Sequence, residues 1–173
     1  MLFKEIMGNV IVKKQLLEGV KNNRISHAQL FSGKNGSAKL ALALAYVQFL
    51  NCENRAIDDS CGVCSSCLKY DNLSHPDLHL IIPVLKINNI KTPVSDHFIE
   101  LWRSFIINNY YGSLNNWIDS LSKENKTGKQ GAIYKHEADN IHKKLNLKNY
   151  EADYRVVLIW MPERMNLEAS NKM

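Results

Sequence analysis

The sequence predicts an α/β domain in which a mainly parallel sheet is flanked by helices. Short apolar runs alternate along the chain with helical periodicities, the order that strand–helix–strand units produce. One run, Val156-Val157-Leu158-Ile159, is apolar at every position, as a strand buried on both faces is. The stretch AKLALALAYVQFL over residues 38–50 is apolar around most of a helix, which suits a helix lying on a sheet.

The elements follow in order. Residues 9–22 place Val12, Leu16 and Val20 four apart, so a helix is expected, ended by Asn22 and Asn23. Residues 26–31 are expected to be the approach and strand that lead into Gly33, with the 38–50 helix behind. SSCLKYDNLS, from Ser65, is expected to be helical. DLHLIIP over residues 77–83 has a strand core from Leu78 to Ile82, closed by Pro83.

Residues 84–131 read as a helical insertion. Phe98, Leu101, Trp102, Phe105 and Ile106 share a helical face, with Ser95 or Asp96 as N-cap. Leu114, Trp117, Ile118 and Leu121 repeat the pattern, with Ser113 as cap. Residues 122–131 are polar and loop-like. A helix over 135–145 carries Ala138, Ile141 and Leu145 on one side. The apolar strand follows from Tyr154 and cannot continue through Pro162. Asn166 caps a last helix.

Composition sets bounds. Hydrophobic residues are 45% and charged residues 23% of the chain, as in a globular protein. No apolar run approaches the length needed to span a bilayer. The N-terminus lacks the basic segment, apolar core and cleavage site of a signal peptide. A cytoplasmic location with no membrane partner is expected. There are 22 basic and 17 acidic residues, a formal charge of +5. That is too mild to argue for nucleic-acid binding by itself. Holding zinc on four thiolates would bring the charge to about +3.

All four cysteines fall between Cys52 and Cys67, spaced Cys52-x8-Cys61-x2-Cys64-x2-Cys67. A disulfide framework would spread them and need an oxidising compartment. Two C-x2-C steps sharing Cys64 can supply three corners of a tetrahedron from one turn around Gly62, and Cys52 can supply the fourth. The candidate metal ligands are therefore Cys52, Cys61, Cys64 and Cys67, in a zinc module over residues 52–67. With every corner filled by protein the zinc would be structural. A redox pair, an iron–sulfur cluster and unrelated buried thiols are the other readings.

LFSGKNGSAKLALALA, from Leu30, resembles a phosphate-binding loop of the form G-x-x-x-x-G-K-[ST]. Gly33, Gly36 and Lys39 are the candidate phosphate-binding residues. Ala38 stands at the second glycine, and Leu40 at the hydroxyl that would ligate Mg²⁺. In a nucleotide hydrolase a later apolar strand ends in an acid that positions the metal. Here Val156–Ile159 run into Trp160 and Met161. Glu163, beyond Pro162, is a weak replacement. Loop and strand lose the same chemistry, so a vestigial site without ATP binding or hydrolysis is expected.

RISHAQLFSGKNGSAKLALALAYVQFLNC, the cysteine spacing, HPDLHLI and YRVVLIWMPERMN resemble the N-terminal domain of bacterial DNA polymerase III clamp-loader subunits, the gamma/tau and delta-prime proteins of the AAA+ superfamily. The resemblance implies an AAA+ P-loop-type fold over residues 1–173, carrying the zinc module and the insertion. Gamma/tau subunits hydrolyse ATP, and delta-prime subunits generally do not. The altered loop and acid-free strand resemble the latter. The implied role is a non-catalytic stator in a complex that opens the sliding clamp and loads it on primed DNA. The implied partners are the gamma/tau and delta subunits. The Ser-Arg-Cys that carries the family's arginine finger does not occur here, so a first domain of a longer protein is expected. A gamma/tau-like ATPase with an atypical site and a zinc-dependent nucleic-acid-binding module are the alternatives.

Overall fold

Two parallel strands, β1 (Leu78–Ile81) and β2 (Val156–Ile159), form the sheet, with Leu78 opposite Val156 and Ile81 opposite Ile159. The computed structural model describes residues 1–87, 90–107, 109–122, 130–146 and 148–173. Its helices are α1 (Val10–Lys21), α2 (Lys39–Leu50), α3 (Ser65–Asp71), α4 (Ile99–Ile107), α5 (Leu114–Ser122), α6 (Lys135–Leu145) and α7 (Leu167–Ser170). The expected loop over residues 122–131 falls largely outside the described residues.

The apolar helix is the centre of the molecule. Leu40, Leu44 and Val47 face a core shared with Leu78, Leu80 and Leu158 of the strands. Ala41, Tyr46 and Phe49 face a second core with Phe3 and Ile6, onto which Leu16 and Val20 of α1 pack. A helix between two cores has no polar face to offer, hence its composition. Val12, expected beside Leu16 and Val20, is exposed.

Two expectations are corrected at the sheet. Residues 26–31 are not a strand: the chain bends at His27 and Ala28 and makes no ladder, and Leu30 is 79% exposed. A strand is defined by its partner, and none of the described residues pairs with this segment. For the same reason β2 is buried on both faces only at Leu158, whereas Val156, Val157 and Ile159 are half-buried. One edge of β2 meets β1, and the other borders an open cleft.

The chain between the strands leaves and returns at one point. Val84 and Ala132 pair as an antiparallel bridge through N–H···O bonds of 3.0 and 3.1 Å. The Trp117 indole N–H donates to the Pro83 carbonyl at 2.7 Å. Gly131 fits here because a Cβ would lie 2.4 Å from Ile118 Cδ1 and 3.3 Å from Pro83 Cβ. Helices α4 and α5 then join the strand core. Trp102, Ile106, Trp117 and Leu121 are buried, and the Trp102 and Trp117 rings meet edge to face at 5.1 Å. The apolar stripe is narrower than the spacing suggested, since Leu101 is 44% exposed and Phe105 is half-buried. Ser113 caps α5, its Oγ accepting from Asn116 N at 3.2 Å.

Ser95 is not an N-cap. It opens a 3-10 turn (Ser95–Phe98) before α4, and its hydroxyl accepts from Ile82 N at 2.9 Å. Glu137, on α6, is buried and accepts from Ser95 N at 2.6 Å and Ser95 Oγ at 2.9 Å. Asp96 receives Lys144 and Asn140 of the same helix. Leu145, expected on the buried side of α6, is 46% exposed.

Burial pushes the Glu137 carboxyl above the ordinary carboxylate range, with Asp96 adding to the rise and Ser95 and Lys144 opposing it. A raised folded-state pKa favours folding below the unfolded value, and that contribution is lost as pH rises through the folded one. Glu137→Gln should therefore keep the acid-side stability and gain on wild type toward neutral pH. Glu137→Ala should cost about 2 kcal/mol or more at every pH, because the Ser95 N–H loses its acceptor. Urea denaturation of the three proteins across pH 4–8 measures this, on the order of magnitude such linkage allows.

Candidate functional site

The cysteines converge. All four Sγ atoms lie within 4.8 Å of one another, with 3.6 Å between Cys52 and Cys61 and 3.9 Å between Cys61 and Cys67. Zinc–sulfur bonds of about 2.3 Å at tetrahedral angles put sulfurs about 3.8 Å apart, so the donor set fits zinc. Local structure explains the convergence. Cys52 follows the end of α2, and Gly62 takes the left-handed φ of +72° that turns the chain. Cys64 then caps α3, its sulfur accepting from Cys67 N at 3.4 Å. Cys61 N donates to Cys52 Sγ and Cys64 N to Cys61 Sγ, both at 3.3 Å. Donation from Val63 and Cys64 N–H groups lowers the Cys61 thiol to about 6, whereas burial raises Cys52 and Cys67.

A polar frame that sequence reasoning missed holds this centre. The Asn51 amide donates to Tyr70 OH at 2.6 Å and to the Tyr154 carbonyl at 2.8 Å, and its oxygen accepts from Tyr154 N. One side chain thus ties the end of α2 to α3 and to the approach of β2. Asp77 is buried and accepts from the N–H groups of Tyr150, Glu151 and Ala152 at 2.7–3.0 Å. Burial works against its ionisation, but these donors outweigh it and hold the carboxyl below the usual range. His75 stacks on Tyr70, and its Nε2 lies 3.3 Å from Glu151, which also pairs with Lys69. HPD before a strand was the available signal, but nothing in it says that a turn near residue 150 is the partner.

The phosphate-type loop keeps its shape. Gly36 has φ +79°, and a Cβ on Gly33 would come 2.6 Å from Ser37 Oγ. Ala38 adopts φ +61°, the left-handed geometry glycine favours, at a cost of about 1 kcal/mol. Its interior differs from a phosphate cradle. Lys39 Nζ donates to the Gly33 carbonyl at 2.6 Å and to the Lys34 carbonyl at 3.3 Å, so the ammonium is spent on the loop itself. Leu40 turns its isobutyl group into the strand core.

The loop opens on a cleft of about 820 Å³, with β2 on its far side and Tyr110 and Tyr111 of the α4–α5 connection at its rim. Trp160 holds the position where an acid would end the strand. It is buried, with its ring 4.5 Å from that of Trp102. Met161 has φ +58° and starts the 3-10 turn Pro162–Arg164. Glu163 is exposed at the cleft. The structure thus brings Gly33, Gly36 and Lys39 together in one loop and the four cysteines together in one cluster, on opposite ends of α2.

These features define an α/β protein with a phosphate-loop-like turn and a four-cysteine cluster. The family described as DNA polymerase III, delta subunit, matches residues 8–173, and the chain belongs to it. It is 38% identical over 72 residues to DNA polymerase III subunit delta' of Bacillus subtilis, covering 42% of this chain and 22% of that protein. The tau subunit of the same organism is 32% identical over 76 residues, 44% of this chain and 14% of the relative. Protein STICHEL-like 4 of Arabidopsis thaliana is 33% identical over 70 residues, 40% of this chain and 7% of the relative. The matched stretch therefore spans less than a quarter of these relatives. No helix among the described residues is long and apolar enough to cross a membrane.

Proposed function

We propose that this chain is an AAA+-type, non-catalytic subunit of a DNA polymerase III clamp loader, of delta-prime rather than gamma/tau type. The observation that carries this is Trp160. At the end of β2, where a hydrolase needs a metal-positioning acid, this chain has a buried indole packed on Trp102. Leu40 makes the matching change at the loop, an apolar side chain committed to the core in place of a Mg²⁺-ligating hydroxyl. Without the metal, phosphoryl transfer has lost its main electrostatic support. In this reading Gly33, Gly36 and Lys39 keep the loop–helix shape for assembly rather than for ATP. Cys52, Cys61, Cys64 and Cys67 hold a structural zinc, which supplies folding energy and no chemistry. Gamma/tau and delta subunits are the direct partners, the sliding clamp and primed DNA are reached through the complex, and the setting is the cytoplasm.

A gamma/tau-like ATPase is the second reading, because tau subunits match at comparable identity and Lys39 remains at the cleft. Titration with a fluorescent ATP analogue and Mg²⁺ separates the two. The delta-prime reading expects no magnesium-dependent binding up to about millimolar analogue, the upper end of the range in which enzyme sites ordinarily saturate. Micromolar, magnesium-dependent binding would overturn it. Stable association of this chain with gamma/tau and delta subunits in gel filtration is the positive counterpart.

A further inference from the structure

We propose that the cysteine cluster is an oxidation site whose first product is a disulfide between Cys52 and Cys61. The inference rests on the zinc reading only for its consequence, the release of the ion. Three observations select this pair. Cys61 is the one cysteine of the four that is not buried, so an oxidant in solution meets it first. Its sulfur lies 3.6 Å from that of Cys52 and 3.9 Å from that of Cys67. The joining segment, residues 53–60, contains no helix or strand and is mostly exposed. It can therefore adjust while the sulfurs close to the bonding distance of about 2.05 Å. Cys67 is further off and fixed on α3, and Cys64 is that helix's cap. Pairing either with Cys61 would strain or uncap a regular element.

Hydrogen peroxide is the oxidant class that takes a thiolate to a sulfenic acid. The Cys61 thiolate attacks one peroxide oxygen, the O–O bond breaks, hydroxide leaves, and a sulfenic acid forms. The Cys52 thiolate then attacks that sulfur, the S–O bond breaks, and a second hydroxide leaves as the disulfide forms. Two thiolates have given two electrons to the peroxide. Cys64 and Cys67 remain, too few to hold a structural ion. The segment between α2 and α3 loses its metal-mediated tie to α3, and a thiol reductant with added zinc reverses the change.

The full chain, purified with its metal under reductant and then desalted, is treated with hydrogen peroxide. Zinc release is followed with a chromogenic chelator, and disulfides are mapped by mass spectrometry of unreduced tryptic peptides. Trypsin cuts after Lys39, Arg55 and Lys69, so Cys52 lies on peptide 40–55 and the other three on 56–69. The expected result is a covalent 40–55/56–69 pair, with fragmentation placing the link on Cys61, formed at the same rate as zinc appears. A bond within 56–69, a link from Cys52 to Cys64 or Cys67, or sulfinic acid on Cys61 with Cys52 still reduced would each overturn the proposal. A chain that carries no zinc as purified sinks the metal reading, while the peptide linkage still decides the oxidation site.

Discussion

Replacing Cys67 with serine should abolish zinc binding and lower the unfolding free energy by about 4 kcal/mol or more, among the largest effects a point change produces. Cys67 is fully buried on α3, and its neighbours are the other three sulfurs. The segment from Cys52 to Cys67 has almost no apolar core of its own, so an ion held there, as proposed, would supply most of the energy that orders it. Serine offers a harder, poorer ligand and leaves a buried hydroxyl among apolar and sulfur atoms. Urea denaturation followed by circular dichroism, with zinc measured in the same samples, tests this. A chelator should bring the wild-type protein down to the variant's stability and leave the variant unchanged. Equal stability of the two, with and without chelator, would remove the metal from the account.

Trp160→Asp should destabilise the protein by about 3–5 kcal/mol and should not produce an ATPase, alone or with Leu40→Ser. The indole is buried against Trp102, which packs in turn on Trp117 and Phe105. Aspartate would leave a cavity in that aromatic cluster and place a carboxylate beside it. The acid a hydrolase needs is thus excluded here by packing as well as by sequence. Trp160→Phe should cost much less, since it keeps a ring in the cluster. Denaturation midpoints and a phosphate-release assay give both readouts. A folded double variant with magnesium-dependent hydrolysis would overturn this expectation and the non-catalytic reading with it.

Features set by local patterns were legible from the sequence, and those set by distant partners were not. The 3.6-residue periodicity of α4, α5 and α6 marked the helices, and Ser113 and Asn166 were readable as caps because a cap bonds within three residues. The cysteine spacing announced a cluster because its turn is local. Ser95 was misread for the opposite reason: its hydroxyl is engaged by Ile82 and Glu137, 13 and 42 positions away along the chain. Asp77 serves a turn more than seventy positions downstream, which no periodicity carries. Residues 26–31 and β2 were given more sheet than they have, because an apolar run records what a strand can bury and not which neighbour is present.

The bridge between Val84 and Ala132 bears on how this chain reaches its fold. Leu78 and Val156 pair across 78 positions, so bringing the two strands together directly means closing a loop of that length. With Val84 already beside Ala132, the path along the backbone shortens to 6 positions on one side and 24 on the other. Because closure entropy grows as (3/2)RT ln n, this detour lowers the cost of joining β1 to β2 by about 0.9 kcal/mol. Helices α4 and α5, built from contacts within one stretch of chain, are suited to form first and draw Val84 and Ala132 together. The excursion between the strands is thereby a clasp: once closed, it leaves the parallel pairing at the heart of the molecule a shorter loop to close.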